Sequence, residues 1–157
     1  MTRDELSRHL TCYEAGLKAE LTLLAQIQRL SQDQRVAMNE QDLDRLTACA
    51  DERARLMAGL VHLEHEIRTS RQILADHRAH ASTLPGFAEI AALHRTAGKV
   101  VSAIVDADSE TMAALREAER VRREASQVLE TGKSSLAAYR RVLSPDVTTP
   151  ALVDRHG

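Results

Sequence analysis

The chain has 157 residues, the size of one ordinary domain, which leaves no room for a catalytic module beside a binding module. Its 21 basic and 23 acidic residues nearly cancel, so no net charge attracts nucleic acid or an anionic membrane. Six glycines, three prolines and only three aromatic residues (Tyr13, Phe87 and Tyr139) favour helix, with a core of aliphatic side chains.

The compartment is indicated by the N-terminal residues and the cysteines. The chain begins with polar and acidic residues where a signal peptide would be apolar, and no apolar run approaches membrane-spanning length. Cys12 and Cys49 lack the spacing of a metal or redox motif, and we interpret them as small core-facing residues of a reducing compartment. We therefore expect a cytoplasmic protein.

The first helix is predicted to begin after Thr2. Thr2 and Glu5 have the spacing of a capping box, in which each side chain accepts a hydrogen bond from the other residue's backbone. The helix should extend over about residues 3–37, because apolar residues recur every three or four positions. These residues are Leu6, Leu10, Tyr13, Leu17, Leu21, Leu24, Ile27 and Leu30.

A second start is indicated by Asn39, with Asp42 in the first turn, and predicts a helix over about residues 40–81. Its apolar stripe consists of Leu43, Leu46, Ala50, Met57, Leu60, Leu63, Ile67 and Leu74. Thr83-Leu84-Pro85-Gly86 follows, and this combination of residues interrupts helices. It is the clearest break in the sequence.

The third region covers about residues 86–143, where the helical period resumes at Phe87. Asp106-Ala107-Asp108-Ser109 is compatible with a kink or a new cap, and Thr131-Gly132 is a second weak point. Three helices and four helices both remain open. The residues from 144 to 157 contain Pro145 and Pro150 with little apolar periodicity, which predicts a mobile tail.

These elements predict an all-α protein, with one helical domain over residues 1–143. A helix of ~36 residues is roughly 54 Å long, so we expect an elongated antiparallel bundle of three or possibly four long amphipathic helices. Long apolar stripes with small alanine neighbours favour coiled-coil-like crossing of the helices.

Histidine pairs spaced by three residues are the first candidate for chemistry. His62 and His65 form one pair, and His77 and His80 form another, a spacing at which two imidazoles can share a metal. The chain contains neither HExxH nor the ExxH motifs of di-metal bundles. We interpret these residues as exposed histidines and predict no metal, no cofactor and no catalytic residue.

Two further motifs resemble binding or catalytic signatures but depart from them. Gly132-Lys133-Ser134 is similar to the end of a phosphate-binding loop, but Gln127 occupies the position of the first glycine and no strand precedes it. His94 resembles the histidine of phosphotransfer domains, although Ala97 stands where those domains have a lysine that helps hold the phosphate. A phosphotransfer-like bundle remains a minor alternative.

The segment from Asp42 to Leu60 reads DLDRLTACADERARLMAGL, and it resembles the "D-x-x-x-L … E-R-x-x-L-x-x-L" signature of FlgN-type flagellar export chaperones. In that family the signature follows a first long helix, and a leucine-rich helix precedes it here as well. Gly132-Lys133 and Leu136-Ala137-Ala138-Tyr139 also fit the family, so that the resemblance covers most of residues 3–143. The related FliT-type chaperones share much of this pattern.

The resemblance implies a small cytoplasmic chaperone without catalysis or cofactor. Such a chaperone binds hook–filament junction subunits, prevents their premature assembly and delivers them to a component of the export gate. Secretion cargo of this kind has amphipathic helical ends, which an apolar helix face can cover. The predicted cargo-binding residues are Val128, Leu129, Leu136, Tyr139, Val142 and Leu143.

The same stripe is equally compatible with ordinary core or dimer positions, so a homodimer remains open. The main alternative function is therefore a structural coiled-coil oligomer whose helices pair only with copies of themselves. An exposed apolar stripe would favour the chaperone, because monomers rarely leave large contiguous apolar patches uncovered.

Overall fold

The computed structural model describes residues 1–143 and their side chains through residue 142. It contains α1 (Arg3–Asn39), α2 (Leu43–Asp76), α3 (Arg78–Ala81) and α4 (Phe87–Leu143), with no strand among the described residues. The predicted all-α class is confirmed. Three of the helices are long, and α3 is a single turn between two of them.

The capping box predicted at the start of α1 is confirmed. The Thr2 hydroxyl accepts a hydrogen bond from the Glu5 amide at 3.2 Å, and the Thr2 amide donates to the Glu5 carboxylate at 2.6 Å. The bond from the Thr2 amide lowers the pKa of Glu5, because a donor stabilises the ionised carboxylate. Two of the four unpaired backbone donors at this helix end are thereby satisfied.

The predicted cap of the second helix at Asn39 is wrong. Asn39 is still the last residue of α1, and Gln41 adopts a positive φ of 57° that turns the chain. The cap is Asp42, whose carboxylate accepts a hydrogen bond from the Arg45 amide at 3.0 Å. Asn39 and Asp42 are both good capping residues, and the position of the turn decides between them.

The predicted break at residues 83–86 is confirmed, and α4 begins directly after Gly86, which has a φ of 90°. A left-handed backbone of this kind favours glycine, because it has no Cβ to clash. The structure adds an interruption at His77, which separates α2 from α3. No glycine or proline lies at that position to reveal it from the sequence.

Helix α4 is continuous through both weak points, so the new cap considered at 106–109 does not occur. The Asp108 carboxylate is used between helices instead: it accepts hydrogen bonds from Ser31 on α1 at 3.2 Å and from Arg53 on α2 at 2.9 Å. A carboxylate that caps its own helix would face the local backbone, whereas this one faces two neighbouring helices.

The chain divides into two units, Met1–Met112 and Ala113–Gly157, with the boundary inside α4. In the first unit, α1 and α2 are antiparallel: His9 contacts Ser70 at 3.1 Å, and Ser31 accepts a hydrogen bond from Arg53 at 3.1 Å. The first part of α4 runs parallel to α1, because Ser31 contacts Asp108 while residues earlier in both helices also meet. The first unit is therefore an up-down-up bundle.

The core of the first unit is aliphatic, as the composition predicts. One buried cluster contains Leu6, Leu10, Tyr13, Leu17, Ile67, Leu74, Ala81, Leu84 and Ile90, and another contains Leu24, Ile27, Leu56, Ala97 and Ile104. Cys49 is buried, but Cys12 is exposed, which corrects the expectation that both face the core. Cys12 lies one position from Tyr13 on α1, and this offset turns its side chain away from the apolar stripe.

Candidate functional site

The described part of the second unit is the helical segment 113–143 of α4, and its apolar side chains are exposed. Among residues 113–142 only Glu119 is half-buried, and all the others are exposed. Val128 is 71% exposed, Tyr139 70% and Val142 83%. Folded proteins normally cover an apolar helix stripe with another element. This segment is therefore the strongest candidate for binding a partner.

The exposed apolar residues lie on one side of the helix, because successive residues are separated by about 100° at 3.6 residues per turn. We define the apolar face as Leu115, Ala118, Val121, Ala125, Val128, Leu129, Gly132, Leu136, Tyr139 and Val142. Five of the six predicted partner-binding residues belong to it. The side chain of the sixth, Leu143, lies outside the described part of the structure.

The apolar face extends beyond the predicted residues, because it begins at Leu115, between three and four helical turns before Val128. Leu115 is 44% exposed and Val121 is 51% exposed, and both continue the helical spacing of the predicted residues. Ala118, Ala125 and Gly132 belong to the same face, and their small size leaves shallow depressions between the larger side chains. The spacing of three and four residues was the signal that could have extended the prediction.

The rest of this segment has a network of charged pairs that stabilises the helix. Arg120 lies 2.6 Å from Glu117 and 2.5 Å from Glu124, and Glu119 lies 2.9 Å from Arg122 and 3.4 Å from Arg123. Hydrogen bonds from the guanidinium groups lower the pKa of Glu117 and of Glu119. Pairs at these spacings support a helix without tertiary packing, so the segment can keep its apolar face available.

A second feature is a polar cluster in the first unit, formed by Tyr13, Glu20, Glu64, Arg71 and His94 around a cleft of about 210 Å³. Glu64 pairs with Arg71 at 3.0 Å, and the Tyr13 hydroxyl lies 3.5 Å from His94 Nδ1. Burial raises the pKa of Glu20, and the nearby Glu64 charge acts in the same direction. Burial also raises the pKa of Tyr13. The cluster therefore brings a carboxylate of raised pKa together with a hydroxyl, an imidazole and a guanidinium in one cleft.

The position of Ala97 bears on the phosphotransfer alternative. Ala97 is only 6% exposed and belongs to the aliphatic core, three residues after His94. A lysine there would have to leave the core to reach a phosphate on His94. The structure thus gives a packing reason for the departure from the phosphotransfer pattern that the sequence shows.

The remaining candidate motifs are the histidine pairs and Gly132-Lys133-Ser134. His62 pairs with Glu66 at 3.3 Å, and no group of three or more His, Cys, Asp or Glu side chains within residues 1–143 could hold a metal ion. Gly132-Lys133-Ser134 lies inside α4, where backbone amides bond within the helix and cannot cradle a phosphate.

Comparison with known proteins returned no matching family model, no matching curated protein and no matching solved structure. Within residues 1–143, no helix has both the length and the apolar character that crossing a membrane requires.

Proposed function

We propose that the protein is a cytoplasmic export chaperone, without catalytic activity, that binds an amphipathic helical segment of a protein destined for secretion. The observation that carries this proposal is the exposed apolar face on segment 113–142 of α4. An isolated helix cannot bury its own apolar stripe, and each Å² of apolar surface covered by a partner contributes about 25 cal/mol. A cargo helix would supply that cover.

The geometry of the face suits a helix better than an extended peptide. Its residues recur at three and four positions, which is the spacing that an amphipathic helix presents in return. Small residues such as Ala125 and Gly132 allow close approach of a partner helix. The larger Leu129 and Leu136 project from the same face as anchors. An extended strand would need unpaired backbone donors and acceptors at a sheet edge, and a helix offers none.

The class of cargo is supported by the resemblance to FlgN-type chaperones. It implies that the cargo is a hook–filament junction subunit, whose helical ends assemble prematurely if they are left exposed. Delivery to a component of the export gate rests on the same resemblance. The near-neutral charge of the chain favours a protein partner over nucleic acid.

The test is capture of a purified junction subunit by the full chain and by two variants. In Leu129→Glu/Leu136→Glu, two carboxylates are placed on the apolar face, and in Ser134→Glu one is placed on the opposite side of the same helix. We expect the full chain and Ser134→Glu to hold the subunit in a soluble complex, and the double variant to weaken binding at least tenfold. Equal binding of the subunit by all three proteins would show that the apolar face is not the cargo-binding site.

The alternative of a structural coiled-coil oligomer is favoured by one observation, the regular spacing of the apolar face. A purely structural oligomer would keep its helices paired when a junction subunit is added. A chaperone would exchange that contact for cargo, so light scattering of the mixture separates the two functions.

A further inference from the structure

One set of positions on the second half of α4 is spaced by alternating steps of three and four residues over four heptads. They are Leu115, Ala118, Arg122, Ala125, Leu129, Gly132, Leu136, Tyr139 and Leu143. This period of 3.5 residues is the spacing of a two-helix coiled coil, in which the first and fourth positions of each heptad form the seam. The charged pairs of this segment lie largely outside the seam, with Arg122 as the exception.

The sizes of the seam residues alternate. The first positions are occupied by leucine or arginine, whereas the fourth positions are the small residues Ala118, Ala125 and Gly132, followed by Tyr139. In a parallel pair in register, each residue meets its own copy. Small residues would then face small residues and leave voids, and Arg122 would face a second Arg122 within the seam. A parallel pair is therefore disfavoured.

An antiparallel pair with its two-fold axis between Glu130 and Thr131 brings each first position opposite a fourth position of the other copy. Leu129 then packs against Gly132, and Leu136 against Ala125, so a large side chain fills each depression. Arg122 lies opposite Tyr139, where a guanidinium can stack on the aromatic ring. Beside the seam, Val121 lies next to Val142 of the second copy, which extends the apolar contact.

We propose that a second copy of this chain covers the apolar face when cargo is absent, through an antiparallel two-helix coiled coil formed by residues 118–143. The paired segment is roughly 39 Å long at 1.5 Å per residue. In a coiled coil the seam and its flanking positions, four of every seven residues, face the partner, so about 15 residues of this segment on each chain would make contact. A single polar residue in the seam, here Arg122, specifies orientation, because only the antiparallel register gives it a complementary neighbour.

This pairing uses the same face as the proposed cargo site but does not depend on the identity of the cargo. Cargo binding and self-pairing exclude each other, so cargo has to displace the second copy. A chain that is monomeric and still captures a junction subunit would overturn the pairing and leave the proposed function intact. A stable antiparallel dimer that binds no junction subunit would support the pairing and overturn the proposed function.

The first experiment measures the mass of the full chain by light scattering over a range of concentrations. We expect a dimer for the full chain and for Ser134→Glu, and a monomer for Leu129→Glu, with the helical circular dichroism of the bundle retained in all three. A monomer for the full chain up to its highest soluble concentration would overturn the proposal. So would a dimer that Leu129→Glu leaves intact.

The second experiment determines orientation by oxidative cross-linking, with Cys12 replaced by serine and the buried Cys49 retained in every variant. Ala125→Cys and Leu136→Cys are prepared separately and then mixed. The antiparallel register places residue 125 beside residue 136 of the second copy, so we expect a cross-linked dimer from the mixture and little from either variant alone. Efficient cross-linking of Ala125→Cys alone would show a parallel pair and overturn the proposed register.

Discussion

Gly16 on α1 and Ile67 on α2 share the space between the two helices: a Cβ atom at Gly16 would lie 2.1 Å from Ile67 Cγ2. Ile67 is 3% exposed and belongs to a buried cluster, so its side chain has no room to retreat. The missing side chain at residue 16 is what allows α1 and α2 to approach closely at this level of the bundle.

Replacing Gly16 with alanine should therefore destabilise the protein. Overpacking in a filled core costs about 1–3 kcal/mol, which exceeds the gain of about 1 kcal/mol that alanine brings to a helix. Urea unfolding followed by circular dichroism measures the difference. The matched control is Gly98→Ala on α4, where the added Cβ meets no neighbouring element within 4 Å. This change should therefore show only the stabilisation that alanine gives to a helix. Equal stabilisation by both changes would contradict the close approach.

Removal of the Asp108 carboxylate should destabilise the first unit by about 1–3 kcal/mol, because it leaves charged and buried donors without their acceptor. Asp108→Ala leaves Arg53 with less charge compensation and takes a partner from the hydroxyl of Ser31, which is buried. Chemical unfolding measures the loss.

The control for this change is Glu110→Ala, because Glu110 forms an exposed pair with Arg35 at 2.9 Å. Exposed pairs contribute between zero and about 1 kcal/mol. A loss from Asp108→Ala no larger than the loss from Glu110→Ala would show that the inter-helix network contributes little.

The pKa of Glu20 is raised above its ordinary value of 4.5, first by burial and then by the nearby Glu64 charge, with Arg71 and His94 acting in the opposite direction. The folded protein thus binds this proton more tightly than the unfolded chain does. Protonation of Glu20 therefore contributes stability to the folded state at low pH, and this contribution declines as the pH rises from about 4.5 through the folded pKa. Glu20→Gln should raise stability at neutral pH by less than about 1 kcal/mol, since the site is partly solvated.

Thermal unfolding between acidic and neutral pH tests this sign. The difference between Glu20→Gln and the unmodified chain should shrink as the solution becomes acidic. Glu52 provides the matched control, because a hydrogen bond from Arg55 lowers the pKa of Glu52. Glu52→Gln should therefore change stability at neutral pH in the opposite direction. If both substitutions changed stability at neutral pH in the same direction, the causes assigned to the two pKa shifts would be wrong.

A leucine at residue 132 should weaken self-association, because Gly132 lies opposite Leu129 of the second copy in the proposed antiparallel register. Overpacking of about 1–3 kcal/mol corresponds to roughly a 5- to 150-fold weaker dimer. Sedimentation equilibrium measures the dissociation constant, and Ser134→Leu, on the opposite side of the helix, provides the control. A tighter dimer for Gly132→Leu would indicate a parallel seam, in which leucine is favoured at that position.

Features that depend on neighbouring residues along the chain could be predicted from the sequence. The capping box of Thr2 and Glu5 and the break before Phe87 are both present in the structure. These features involve residues a few positions apart, so backbone sterics and local hydrogen bonds are sufficient to specify them. The all-α class follows from the same local information, repeated along three long apolar stripes.

Which apolar residues are covered depends on how the helices pack. Ile104 and Leu136 lie on the same helix and in the same periodic pattern, yet Ile104 is 7% exposed and Leu136 is 59% exposed. Periodicity shows which side of a helix is apolar, but burial depends on whether another element faces that side. Likewise, only the packing of three helices shows that Asp108 bonds to Ser31 and Arg53 instead of ending a helix. These two contacts join residues 77 and 55 positions apart, a separation at which no local pattern in the sequence specifies the partner.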